Sequence, residues 1–162
     1  FKFYFDEEAF IPNGEPIYDF VFKNGMCIVP GENAKVGLIN EKGEFLLPAD
    51  FDDIIDWRNE NAIGFILEQY AGEENEYLYG VCDKNCDIIQ PLQYNVMQRV
   101  KEHYGIVDYP SLGYIVSKNG YYGLLDTLFQ EKCPIQYDDI EHVDGYNAFI
   151  IKKSSTTQGV MA

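Results

Sequence analysis

An all-β fold built from tandem units is predicted by three observations. Five residue types recur at fixed offsets in three segments, 14 Gly and 7 Pro punctuate the 162 residues, and no stretch shows apolar residues spaced by three and four between helix caps. The segments align without gaps from Gly37-Leu38-Ile39-Asn40, Gly80-Val81-Cys82-Asp83 and Gly123-Leu124-Leu125-Asp126. In each, an Asn or Asp stands three residues after the Gly, Pro eleven (Pro48, Pro91, Pro134), an aromatic fourteen (Phe51, Tyr94, Tyr137) and a large apolar residue seventeen (Ile54, Met97, Ile140). The glycines are 43 residues apart, and a fourth start, Gly159-Val160-Met161-Ala162, follows after 36. The expected architecture is a series of short antiparallel meanders of about 40 residues each, stacked in an open curved array, with a closed propeller-like ring as the alternative.

The elements of the unit follow in chain order. Val36, Tyr79 or Tyr122 precedes the Gly and apolar residues follow it, which reads as a strand. The polar corners Asn40-Glu41-Lys42-Gly43 and Asp83-Lys84-Asn85-Cys86 read as tight hairpin turns, where Asn, Asp or Gly supplies the positive φ. The third corner, Asp126-Thr127-Leu128-Phe129, has no Gly or Asn at its later positions, so a longer turn or another type is expected there. A second strand (Phe45 to Leu47, Ile88 to Gln90, Glu131 to Cys133) is expected to end at the Pro, which cannot donate to a ladder. The aromatic beyond it is placed in the core. A further apolar stretch precedes each Gly (Met26 to Val29, Ala62 to Leu67, Tyr114 to Val116, Ala148 to Ile151), giving at least three strands per unit. The chain is thus divided into a degenerate capping unit 1–36, in which Asn13-Gly14-Glu15-Pro16-Ile17-Tyr18-Asp19 is a shortened copy, repeats 37–79, 80–122 and 123–158, and a truncated start at 159–162.

Gly, two apolar residues and Asp or Asn, a short turn, Pro, then Tyr or Phe with Asp at this period resembles the WG repeat, also called the KWG repeat, of bacterial proteins. The resemblance covers 37–54, 80–97 and 123–140, and 159–162 weakly. The Trp of the name is replaced by Val36, Tyr79 and Tyr122, and Tyr fills much of the same space. The resemblance implies an all-β repeat array used for binding and transfers no catalytic residue.

Composition narrows function. With 46% apolar and 15% aromatic residues, a chain this long can bury roughly 70% of its unfolded surface. No apolar run reaches the ~20 residues of a membrane span. Phe1-Lys2-Phe3-Tyr4-Phe5-Asp6-Glu7-Glu8 lacks the basic and apolar blocks of a signal peptide, so a cytoplasmic setting is expected, although a chain starting at Phe1 is compatible with removal of an earlier segment. Twelve Lys and Arg against 27 Asp and Glu give a net charge of −15, which opposes nucleic-acid binding and favours a basic protein or peptide partner. Cys27, Cys82, Cys86 and Cys133 are read as small buried or half-buried thiols; no CxxC pair exists, and neither His103 nor His142 completes a zinc spacing with them. No GxSxG, HExxH, GxGxxG or P-loop is present, so no enzyme, cofactor or metal is expected.

Two places stand out as binding surface. The differing lengths of the units place insertions at 68–76 and 108–113, read as loops at matched positions and therefore along one face of a stack. Residues 1–81 hold 5 basic and 17 acidic side chains, against 7 and 10 in 82–162. In that acidic half Asp50, Asp52, Asp53, Asp56 and Glu60 flank the only tryptophan, Trp57, either as a rim around an aromatic anchor or as solvating charge over a core plug. The acidic spacing reproduces no EF-hand loop. Trp57, Tyr70, Glu73, Glu74, Glu76 and Tyr109 are the partner-binding candidates. The expected function is a non-enzymatic interaction module, and the alternative is an immunity-type inhibitor of a basic toxin.

Overall fold

The computed structural model describes residues 21–72, 76–100, 103–104, 107–108, 112–146, 148–154 and 157–161. Among them are sixteen strands, no α-helix and one turn of 3-10 helix at Glu32–Ala34. The strands are β1 Met26–Pro30, β2 Val36–Asn40, β3 Phe45–Phe51, β4 Asp53–Ile55, β5 Gly64–Tyr70, β6 Tyr77–Asp83, β7 Ile88–Tyr94 and β8 Val96–Val100, followed by β9 His103–Tyr104, β10 Val107–Asp108, β11 Gly113–Lys118, β12 Tyr121–Leu125, β13 Glu131–Tyr137, β14 Asp139–His142, β15 Phe149–Lys153 and β16 Thr157–Met161. They form small antiparallel sheets in the orders β1-β2-β3, β4-β5-β6-β7, β13-β12-β11-β8 and β14-β15-β16, plus the β9-β10 pair, and among the described residues none of these sheets closes into a barrel.

The repeat is all-β with at least three strands per unit, as its sequence predicts, and its complete sheets hold four strands. A short strand after the aromatic (β4, β8, β14) leaves its own unit and pairs with the strand that precedes the next glycine (β5, β11, β15). The crossing is fixed by one hydrogen bond repeated three times. The backbone N–H of Asp52, Asn95 and Asp138, fifteen residues after the glycine, donates to the carbonyl of Glu68, Ser117 and Lys152 at 2.8–2.9 Å. The residue before it is the expected core aromatic, with Phe51 and Tyr94 buried and Tyr137 half-buried.

Proline does not end the second strand, contrary to the expectation from its missing donor. Pro48, Pro91 and Pro134 lie inside β3, β7 and β13, each an outer strand, so the absent N–H costs no ladder bond. The register shows what Pro does instead. Leu38 faces Leu47 and Val36 faces Phe51, so two steps on β2 match four on β3; Leu124 with Cys133 and Tyr122 with Tyr137 repeat this offset on β12 and β13. The outer strand therefore bulges over the glycine. A Cβ at Gly37 would lie 2.8 Å from both Leu47 O and Ala49 N; at Gly80, 2.8 Å from Gln90 O; at Gly123, 2.8 Å from Cys133 O. Glycine and proline recur eleven apart because only a residue without a side chain lets that backbone cross.

The third corner is also corrected: all three turns are the same. The carbonyl of Asn40, Asp83 and Asp126 accepts from the N–H of Gly43, Cys86 and Phe129 at 3.0–3.1 Å, and the side-chain Oδ1 accepts two further N–H groups. Gly43, Cys86 and Phe129 have φ of 78°, 67° and 61°, the left-handed residue of a turn with a bulge.

The chain divides into two compact units, 1–69 with 82–87, and 70–81 with 88–162. In the first, Cys27, Val29 and Ile39 form a core cluster that Phe22 covers. In the second, Val100, Ile115, Leu124, Cys133, Ile140, Phe149 and Ile151 form the core, with Leu112, Tyr122 and Tyr137 packed against it.

Candidate functional site

Strands β5 and β6 are joined by 71–76, closed by a hydrogen bond from Ala71 N to Glu76 O at 2.9 Å. Gly72, at φ 85°, supplies the left-handed step this reversal needs. The strand ends carry Tyr70 and Tyr77, whose rings meet edge to face at 5.6 Å and remain 43% and 38% exposed. An edge-to-face pair contributes about 0.5–1.5 kcal/mol beyond burial, so both rings are held in place while offering apolar area to solvent. Glu76 is exposed beside them. Glu73, Glu74 and Tyr109 lie outside the described residues.

Residues 68–76 and 108–113 do not occupy equivalent positions in the unit, contrary to the expectation that they match. Residues 71–76 join the first and second strands of a meander, whereas the stretch after β10 leads into a first strand, β11; the corresponding first-to-second connection there is the two-residue turn Asn119-Gly120. The connections that match in register are 56–63 and 143–148, both running from a crossing strand to a first strand. The first holds Trp57 and the second Tyr146, which at 67% exposure is the most open of the large apolar side chains described, and which sequence reasoning missed. Tyr77 was missed as well; its place across a hairpin from Tyr70 is the signal that finds it.

Trp57 is 5% exposed and belongs to the core of the first unit. On one side it borders a cleft of about 210 Å³ with Met26, Phe65, Asn59 and Lys84, and the Arg58 guanidinium sits 4.8 Å from its ring centroid. Lys84 Nζ donates to Glu60 O at 2.7 Å, tying the 56–63 connection to the turn after β6. Among the surrounding acids, Asp52 pairs with Lys35 Nζ at 2.6 Å, and Asp53 Oδ1 accepts from Ile54 N. Among the described residues no group of three or more His, Cys, Asp or Glu converges in a way that could hold a metal ion.

The second unit has an open cleft of about 670 Å³ lined by β8 and β14, including Val96, Gln98, Arg99, Ile140, Glu141 and His142. Its charge is already partnered. Lys152 Nζ donates to Glu141 Oε1 at 2.9 Å and Asp139 Oδ2 at 3.3 Å, and these bonds raise the lysine pKa above its ordinary value. His142 Nε2 lies 2.9 Å from Tyr146 O, and Arg99 reaches over the Tyr114 ring.

The four thiols are free. Burial raises Cys27 and Cys133 above the ordinary thiol value. Cys82 and Cys86, four residues apart in the turn after β6, titrate against each other: hydrogen bonding between the thiols raises the Cys82 pKa and lowers that of Cys86.

Residues 37–66, from the glycine of β2 into β5, match the family model of the WG containing repeat. The chain carries a WG repeat. The matched segment holds each feature the structure repeats: the glycine under the bulge, the Asx turn, Pro48, and the crossing strand β4 with its partner β5. The turns and close backbone crossings at Gly80 and Gly123 have the same hydrogen bonds and glycine contacts as the matched segment. No curated protein and no solved structure matches the chain significantly. No described helix is long and apolar enough to cross a membrane.

Proposed function

We propose that this WG-repeat chain is a non-enzymatic binding module that presents an acidic, aromatic hairpin end to a basic protein or peptide. The observation that carries the reading is the Tyr70 and Tyr77 pair, ordered yet half-exposed, at the mouth of a connection carrying Glu73, Glu74 and Glu76. Tyrosine supplies contact area at small entropic cost, and a surrounding negative potential steers a cationic partner to it. The excess of acid in residues 1–81 supports the same choice of partner. Trp57 contributes to this module by supporting the fold of the 56–63 connection.

The test is capture from native lysate at low and at high salt by three forms of the chain: wild type, Tyr70→Ala with Tyr77→Ala, and Glu73→Gln with Glu74→Gln and Glu76→Gln. The expected outcome is a basic protein retained by wild type at low salt, weakened by the tyrosine changes and made less salt-sensitive by the glutamines. Equal capture by all three would remove the hairpin end from the function. A single partner held through stringent washing, with fast salt-dependent association, would assign the inhibitor role instead.

A further inference from the structure

We propose that Cys82 and Cys86 are a redox-modification site, closing into a reversible disulfide within the turn after β6 when the chain meets a peroxide. The turn itself provides the geometry. Cys82 is the last residue but one of β6 and Cys86 is the left-handed residue of the turn, held by Cys86 N donating to Asp83 O at 3.0 Å and Asp83 N to Asp87 O at 2.8 Å. In the matching turn of β12 and β13 these two places are taken by Leu125 and Phe129, each 2% exposed, with Phe129 stacked on Tyr114 at 4.7 Å. The left-handed residue therefore turns its side chain inward, to the same side as the residue four before it. With cysteine at both places the two side chains share the inner side of one turn, four residues apart, and each shifts the other's pKa, Cys82 up and Cys86 down.

The pair is unequal in the way thiol exchange requires. Cys86 is half-buried and reachable from solvent, and Cys82 is fully buried. The interaction with Cys82 lowers the Cys86 pKa against its partial burial and the opposing charges of Asp83 and Asp87. Reactivity follows thiolate character and access, so Cys86 is the attacking sulfur and Cys82 the resolving one. The Cys86 thiolate attacks one peroxide oxygen; an S–O bond forms, the O–O bond breaks, and the departing hydroxide leaves as water with a proton from solvent. Cys82 then gives up its proton and attacks the Cys86 sulfenic sulfur; the S–S bond forms, the S–O bond breaks, and the second oxygen leaves as water. Two thiols are oxidised and one peroxide is reduced to two waters. Cys27 and Cys133 are buried and have no thiol partner of this kind among the described residues.

The experiment treats the whole chain with stoichiometric hydrogen peroxide, then denatures, alkylates and maps it by mass. Alkylatable thiols should fall from four to two, with the peptide spanning 82–86 lighter by two hydrogens and restored by dithiothreitol. Before oxidation, Cys86 of the folded wild type should alkylate at least about tenfold faster than Cys27 or Cys133. In Cys82→Ser, the Cys86 sulfenic acid should persist and be trapped by dimedone, whereas Cys86→Gly, which places in this turn the residue found at Gly43, should leave Cys82 unmodified. Four alkylatable thiols after treatment, a bridge between other cysteines, or Cys86 passing to sulfinic acid while Cys82 stays alkylatable would each overturn the proposal. Should Cys82→Ser fail to fold, the wild-type thiol count and alkylation rates still decide between these outcomes.

Discussion

The turns at 40–44 and 126–130 have the same backbone and differ at the residue with positive φ. In one it is Gly43, with nothing within 4 Å of where a Cβ would stand. In the other it is Phe129, at φ 61° and buried against Tyr114. A left-handed conformation costs a residue bearing a Cβ about 1–2 kcal/mol, and full burial of a phenylalanine contributes about 1.5–3 kcal/mol. The second turn therefore tolerates its strain because the same conformation aims the ring into the core. The lesson is that the shape of the repeat is imposed by the Asx side chain and the bulged partner strand, not by glycine in the turn.

The strongest way to break the comparison is at Phe129. Phe129→Ala keeps the Cβ strain and loses the ring, so it should destabilise the chain by about 3–5 kcal/mol. Phe129→Gly loses the ring and relieves the strain, so it should cost about 1 kcal/mol less than the alanine change, reversing the order usual for strand positions. Urea denaturation midpoints for the pair check this, and equal midpoints would show that the left-handed geometry carries no strain. The next effect in size contrasts two kinds of glycine. Gly123→Ala drives a Cβ into Cys133 O and Ile135 N and should cost about 3 kcal/mol, whereas Gly43→Ala meets open space and should cost about 1 kcal/mol, from φ alone. A smaller effect is expected where the turns agree. Asp126→Ala and Asn40→Ala each remove an acceptor of two backbone N–H groups and should cost about 1 to 2 kcal/mol, alike in the two copies.

These contrasts mark how far the sequence can be read. The offsets of three, eleven, fourteen and seventeen locate the unit, and its all-β class follows, because each offset carries one residue type with one backbone need. The reason for the glycine and proline spacing stays hidden in a linear reading: co-occurrence along the chain does not reveal that the outer strand takes four steps to its partner's two. The third turn escapes the sequence for a related reason, since what stabilises Phe129 is Tyr114, on a strand outside the turn. The crossing strands escape it because they are short, and the β9-β10 pair pushes β11 later than its counterparts, which makes 68–76 and 108–113 look equivalent. At the candidate site, Tyr70 and Glu76 are legible from an acidic, aromatic insertion. Trp57 is ambiguous in the sequence, because acidic neighbours accompany an exposed anchor and a buried plug alike, and only its 5% exposure separates them.

The smallest effect under ordinary conditions sharpens the same comparison at the residue opposite the glycine's successor, Leu47 in the first copy and Cys133 in the third. Burial raises the Cys133 pKa above the ordinary 9.0, with Glu131 adding to the rise and a hydrogen bond with Tyr137 opposing it. Below 9.0 both folded and unfolded chains keep this proton, so stability does not depend on it. Above 9.0 the unfolded chain releases the proton while the folded chain retains it. Stability then falls until the folded pKa is passed, with a slope of at most about 1.4 kcal/mol per pH unit for the one group. Leu47 has no proton to lose. Cys133→Ala should therefore be less stable than wild type near about pH 8 by the lost packing, and the gap should narrow toward about pH 10. Leu47→Ala should show a gap that stays constant over the same range. Parallel pH profiles for the two variants would mean that Cys133 is not shielded from ionisation, and that the third copy of the repeat admits water at a place where the first does not.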